Sequence, residues 1–142
     1  MADSDWRAQR GAAALAHQRA LDERTRRETE QARALIAQFL IDVRSRGVAP
    51  VPLHARGYDG RGRYRTGLEG WYLRRNETVA LGTDGNFYTL QVDGGLLALV
   101  KGAHPEPKDP PLVLGKGGKD GESIDLAEAL ARVLGDSAGP LT

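Results

Sequence analysis

The ten residues from Asp22 to Gln31, DERTRRETEQ, carry no apolar side chain, and they lie inside a run from Ala12 to Arg46 that has neither glycine nor proline. Such a stretch can be helical on every count except one: it has no face to bury in a core. Acid-first pairs at i, i+4 spacing, Asp22 with Arg26 and Glu23 with Arg27, are expected to support the helix while it stays solvated. Nothing within it makes a turn, so the residues before it are expected to stand away from those after it.

The two flanks of this polar stretch differ. After it, Ala32, Leu35, Ile36, Phe39, Leu40 and Val43 follow the i, i+3, i+4, i+7 rule and predict one buried helical face. Before it, Trp6, Ala13, His17, Ala20 and Leu21 make a narrower stripe, suited to contact with another helix rather than to a domain core. Ser4 is a candidate N-cap with Asp5 in the first turn. Arg44 and Arg46 in the last turn, Gly47 after it and Pro50 beyond mark the stop, and Gly11 costs about 1 kcal/mol in between. A helix from Asp5 to Arg46 is roughly 60 Å long, against a domain of about 30 to 35 Å from the remaining chain. The helix must overhang.

Beyond Gly47 the texture changes: sixteen of the eighteen glycines fall in residues 51–142. Short alternating runs predict strands over Leu68 to Arg74, Thr78 to Thr83, Asn86 to Val92 and Leu96 to Lys101, joined by Arg75-Asn76-Glu77, Asp84-Gly85 and Asp93-Gly94-Gly95. Asp-Gly between two alternating runs is the strongest hairpin signal among these. Val51 to Arg56 and Gly62 to Thr66 are expected to add edge strands. The four prolines of Gly102 to Pro111 predict an extended connection rather than an element. Leu112 to Leu114 reads as a short strand and Asp125 to Leu134 as a closing helix, with Asp125 and Glu128 at capping-box spacing and Gly135 as the stop. The expected fold is therefore α+β: a long N-terminal helix over 1–47 with its distal half projecting, an antiparallel meander of four to six strands closed by a short helix over 51–136, and a tail over 137–142.

Several chemistries are excluded by residue type. The chain has no cysteine, so disulfides, thiolate metal sites and cysteine nucleophiles are out, and the redox compartment stays open. His17, His54 and His104 show no metal-ligand spacing and read as surface histidines. Ser123 lies in GESID rather than GxSxG, and Asp84 and Asp93 fill turn positions. No nucleophile, base and orienting group come together, so neither an enzyme nor a cofactor is expected. The apolar-biased run Ala34 to Val43 is half the length of a membrane span, and the N-terminus lacks the apolar stretch of a secretory signal, which leaves the cytoplasm as the expected place.

Three surfaces remain. The N-terminal stripe, represented by Trp6, Ala13, His17 and Leu21, predicts self-association or capture of a helical partner. Residues His54 to Arg75 hold six arginines against Asp59 and Glu69, a local charge of +4, interleaved with aromatics. Here Arg56, Tyr58, Arg61, Arg63, Tyr64 and Arg65 make a candidate surface for single-stranded nucleic acid, although the same arginines on a solvated turn and edge strand need no ligand. From Asn76 onward five basic residues face ten acidic ones, so the two parts of the sheet domain attract each other or a partner. The third surface is the Gly-rich, lysine-bearing loop Gly115 to Ser123, built like a phosphate loop, but Asp120 breaks both GxxxxGK[ST] and GxGxxG.

Gly70-Trp71-Tyr72-Leu73 resembles the tripeptide that names the WYL ligand-sensing domains of bacterial regulators, but without the basic positions that follow it there. The longer block GWYLRRNETVALGTDGNFYTLQV resembles short uncharacterised proteins of high-GC actinobacteria over about residues 51–134, a similarity that implies no activity.

Overall fold

The computed structural model describes residues 2–115 and 123–137. In chain order these form α1 (Ala2–Arg46), β1 (Val51–Gly57), β2 (Arg63–Tyr72), β3 (Val79–Gly82), β4 (Phe87–Thr89), β5 (Gln91–Val92), α2 (Leu96–Lys101), β6 (Pro107–Lys108), β7 (Val113–Leu114), β8 (Ile124–Asp125) and α3 (Leu126–Ser137). The fold is α+β, with a long N-terminal helix, a six-stranded mixed sheet and a short C-terminal helix.

α1 is continuous over 45 residues, about 68 Å, and passes through Gly11 without a break. It begins at Ala2, so Ser4 is inside the first turn rather than at the cap; Asp3 and Asp5 supply the negative charge that the helix N-terminus favours. Its other end closes as a Schellman turn. Gly47 takes φ of 71°, and the Val48 N–H donates to the Val43 carbonyl at 2.9 Å, with both valines buried in the same cluster.

The expected strands Gly62 to Thr66 and Leu68 to Arg74 are one ten-residue strand, β2. Its pairing with β1 skips register between Pro52 and His54, and Gly67 sits in that irregularity at φ of 73°. Thr66, the single buried polar residue among those described, satisfies the local backbone: its Oγ1 donates to the Leu53 carbonyl at 2.7 Å and accepts from the Leu68 N–H at 3.1 Å. Around this irregularity β2 pairs with β1 from Arg63 to Gly70 and with β3 through Gly70, Trp71 and Tyr72 at its end.

The sheet order is β5-β1-β2-β3-β4-β6. β1 is therefore interior, not the edge strand that its position in the sequence suggests. β4 and β5 are separated by Leu90 alone, yet β4 pairs with β3 at one end of this order and β5 pairs in parallel with β1 at the other. Leu90 is where the sheet closes: its N–H donates to the Thr78 carbonyl and its carbonyl accepts from the Arg56 N–H, both at 2.7 Å. The meander thus curls into a small barrel, and the expected single strand Asn86 to Val92 is two short strands with a corner between them.

Closure explains two further departures. Leu96 to Lys101 is a helix rather than a fourth meander strand, since the ladder has already closed and LLALVK lacks the alternation a strand requires. Its turns are made by Leu99 and Gly102 N–H groups donating to the Gly95 and Ala98 carbonyls. The proline segment, expected to hold no element, contributes β6, which pairs with the remaining edge of β4 at Phe87 and Tyr88. Proline is tolerated at such an edge because its missing N–H costs no interior ladder bond.

Two apolar clusters result. Leu53, Ala55, Tyr64, Ala80, Tyr88 and Leu90 fill the barrel. Trp71, Leu73, Leu81 and Phe87 point outward from it, to be covered by the Ala32, Ile36, Phe39 and Val43 face of α1 and by Leu126, Ala129, Leu130 and Leu134 of α3. The register expected for α1 is the register observed. Phe39 meets Trp71 edge to face, centroids 5.4 Å apart, and the Trp71 Nε1–H donates to the Val48 carbonyl at 3.4 Å. Trp71 and Leu73 thus face the helices while Tyr72 packs on the barrel interior, which gives all three residues of the WYL tripeptide a packing role. α3 runs through Gly135, so that glycine is not its stop, and Glu128 turns to Arg132 at 3.5 Å instead of closing a capping box.

Candidate functional site

Every side chain from Asp3 to Glu28 on α1 is exposed. Trp6 is 56% and Leu21 39% exposed; Ala13 and His17 lie open between them. Arg10 lies over the Trp6 ring, 4.5 Å from its centroid, so the guanidinium covers one aromatic face without removing the ring from water. Leu15, 60% exposed, was outside the stripe: nine residues from Trp6 is two and a half turns, which places it on the opposite side of the helix. The expected i, i+4 ion pairs are replaced by other partners. Arg26 binds Glu23 at 2.8 Å, and Asp22 accepts from the Gln18 amide at 2.9 Å. Shorter i, i+3 reach and a competing amide decide these choices on a surface where each pair contributes only a few tenths of a kcal/mol.

The second candidate surface is the β1–β2 hairpin. His54 is paired across from Arg65, and Arg56 from Arg63, so these four side chains share one face. The alternate residues, Ala55 and Tyr64, point into the barrel. Tyr64 is therefore buried, contrary to the stacking role expected for it, and the backbones of Gly62 and Gly94 close against its ring so tightly that a Cβ at either position would strike it. Arg56 is also engaged: its guanidinium binds Glu77 at 2.9 Å. Glu77 adopts φ of 60°, with its N–H donating to the Arg74 carbonyl, and the ion pair helps hold that left-handed conformation. His54 is half-buried rather than a surface histidine, with its Nδ1 enclosed and its backbone N–H donating to the Tyr72 hydroxyl at 2.8 Å. What the hairpin offers outward is Arg61, Arg63 and Arg65, none with a carboxylate partner among the described residues, together with Tyr58, 68% exposed.

A groove of about 380 Å³ opens beside the hairpin tip, lined by Tyr58, Asp59, Tyr64, Asp93 and a glycine floor at Gly57, Gly94 and Gly95. α2 borders the same region, held to β2 where the Ala103 N–H donates to the Arg65 carbonyl at 2.7 Å, and it leaves Leu97, Leu99 and Val100 exposed. A separate cavity of about 280 Å³ lies between the β2–β3 turn and α3, with Arg75 and Arg132 on its walls. Of the loop read as a possible phosphate cradle, residues 116–122 lie outside the described residues; β7 and β8 pair on either side of it.

The Asp84-Gly85 turn is structural. Asp84 accepts from the Tyr88 hydroxyl at 2.6 Å and from the Asn86 N–H at 2.9 Å. Partial burial pushes its pKa upward, but those hydrogen bonds outweigh it and leave the carboxyl below its ordinary value. Tyr88 is raised by burial and by donating to Asp84. No helix among the described residues is long and apolar enough to cross a membrane. No protein-family model, curated protein or solved structure matches the chain.

Proposed function

We propose that this protein is a cytoplasmic, non-enzymatic interaction module that captures a second helix, in the first instance that of its own copy, through the distal half of α1. The observation that carries this reading is the contrast within one helix. Ala32 to Val43 is anchored in the domain core, whereas Asp3 to Glu28 exposes every side chain, including Trp6, Leu15 and Leu21. An isolated helix of this kind gains little from propensity and surface pairs; in water its turns are marginal without packing against another element. Trp6, Ala13 and Ala20 recur every seven residues, the spacing at which two helices keep one seam in register. In such a dimer Trp6 supplies the large anchor and the alanines allow close approach of the two backbones.

Light scattering after size-exclusion chromatography tests this directly. The full chain is expected to elute at twice its 15.3 kDa mass. A chain beginning at Asp22 is expected to be a monomer with the sheet domain intact. A full-length chain that stays monomeric, or a truncated chain that still dimerises, refutes the assignment to this helix.

A further inference from the structure

We infer that the outer face of the β1–β2 hairpin, with the groove at its tip, binds single-stranded nucleic acid and favours bases that carry an exocyclic amino group. Three independent features converge there. First, the stripe is built against its own electrostatics: Arg56 and Arg63 are directly opposed across the ladder, an arrangement sheets avoid unless something offsets it, and Glu77 offsets only Arg56. Arg63 and Arg65, two residues apart on one strand face, and Arg61 at the turn remain as a row of guanidiniums open to a phosphate backbone.

Second, Tyr58 lines the groove at the hairpin tip and is 68% exposed, a platform on which a base without a complementary strand can stack. Third, the adjoining groove has the opposite polarity. Asp59 and Asp93 repel phosphate, but they accept hydrogen bonds from amino groups, and Gly95, with open space where a side chain would stand, lets a flat ring approach the backbone. One Asp59 oxygen is already used, accepting from the Arg61 N–H at 2.9 Å, so Asp93 is the freer acceptor. Phosphates outside and an amino-bearing base inside is the one arrangement that satisfies both halves of the surface. A duplex cannot supply it, because its bases are stacked and paired.

Labelled oligocytidine and oligouridine, about twelve nucleotides long, are the probes, followed by anisotropy with the full chain from about 50 mM salt upward. The expected result is binding that weakens steeply with salt, with oligocytidine held about tenfold more tightly. Arg63→Glu should weaken both probes at least tenfold and reduce the salt slope by about 0.7. The same variant should melt at an equal or higher temperature than the parent, since it places an acid opposite Arg56; a merely structural arginine would not separate binding from stability in this direction. Asp93→Ala should remove the preference for cytidine while leaving oligouridine held as tightly as by the parent or more so, since a carboxylate that repels phosphate is gone. Absence of binding at low salt, unchanged binding by Arg63→Glu, a duplex bound as well as the single strands, or polyglutamate competing as well as oligocytidine would each overturn the inference. The chain beginning at Asp22 should bind as the parent does, which keeps this result separate from the helix-mediated association.

Discussion

Phe39 is the residue on which the helix and the barrel depend together. It is 2% exposed, meets Trp71 at 5.4 Å edge to face, and belongs to the cluster that also contains Leu126 and Leu130 of α3. Phe39→Ala removes a full aromatic side chain from a site where a rigid helix, a closed sheet and a second helix leave little room to collapse, so the loss should be about 3 to 5 kcal/mol. For a chain of this size that corresponds to a fall of roughly 10 to 15 °C in melting temperature. About 0.5 to 1.5 kcal/mol of it should couple to Trp71, measurable in a double-mutant cycle with Trp71→Leu. Phe39→Asp adds a buried unpaired charge and should abolish folding of a domain of ordinary stability, while Glu30→Lys, on an exposed position of the same helix, should stay within about 0.5 kcal/mol of the parent. Urea and thermal melts of the five variants, the Phe39→Ala/Trp71→Leu double included, settle the matter. Equal effects at positions 30 and 39, or a cost below about 1 kcal/mol for Phe39→Ala, refute the register on which the fold description rests.

Gly70→Ala should cost about 3 kcal/mol or more, because its Cβ would land on the Leu81 carbonyl and the Gly82 Cα, backbone atoms that cannot turn aside; a melt within 1 °C of the parent contradicts that packing. Stability should depend on pH at both ends through the Asp84–Tyr88 contact. Asp84 is depressed when folded, so its contribution is complete above its unfolded pKa, near pH 4, and is lost as pH falls through the folded value. Tyr88 is raised when folded, so its contribution is complete below about pH 10 and is lost as pH rises through the folded value. Melts across pH of the parent, Asp84→Asn and Tyr88→Phe check both limbs, and identical profiles in all three would remove the contact from the account.

Local patterns in the sequence announced what local physics decides. The 3.6-residue period from Ala32 to Val43, the Gly47 stop and the Asp84-Gly85 hairpin all depend on neighbours within a few residues, and all stand where they were expected. Barrel closure was not legible, because it depends on Leu90 bonding to Arg56, thirty-four residues earlier, and no residue near Leu90 marks the corner. The helical state of Leu96 to Lys101 follows from the same closure, as does the pairing of Pro107 and Lys108 with β4. The burial of Tyr64 was available: in Arg63-Tyr64-Arg65 a period of two sends the tyrosine to the face opposite both arginines. Tyr64 lies within the expected edge strand Gly62 to Thr66, so that alternation already opposed placing it on one face with Arg63 and Arg65. The groove at Asp93 had no sequence signature at all, since it joins the tip of one hairpin to a loop some thirty residues further on.

The distribution of charge separates what the fold uses from what it leaves over. A basic hairpin followed by an acidic remainder is what intrachain attraction would produce, yet among the described residues one such ion pair exists, Arg56 with Glu77; Arg33 of α1 takes a second acid, Asp109 of the proline segment, each pair at 2.9 Å. The second is open to water on both sides and contributes little. If neutralising the hairpin were the purpose of the downstream acids, they would surround Arg61, Arg63 and Arg65, yet none of the described ones lies within salt-bridge distance of these three. Asp84 is held by Tyr88 and Asn86, Glu128 by Arg132, and Asp93 lines the groove at the hairpin tip. A face kept at such a charge, against the cost of opposing Arg63 to Arg56, is what the inferred binding of a single strand would use, and it is the feature that Arg63→Glu puts to the test.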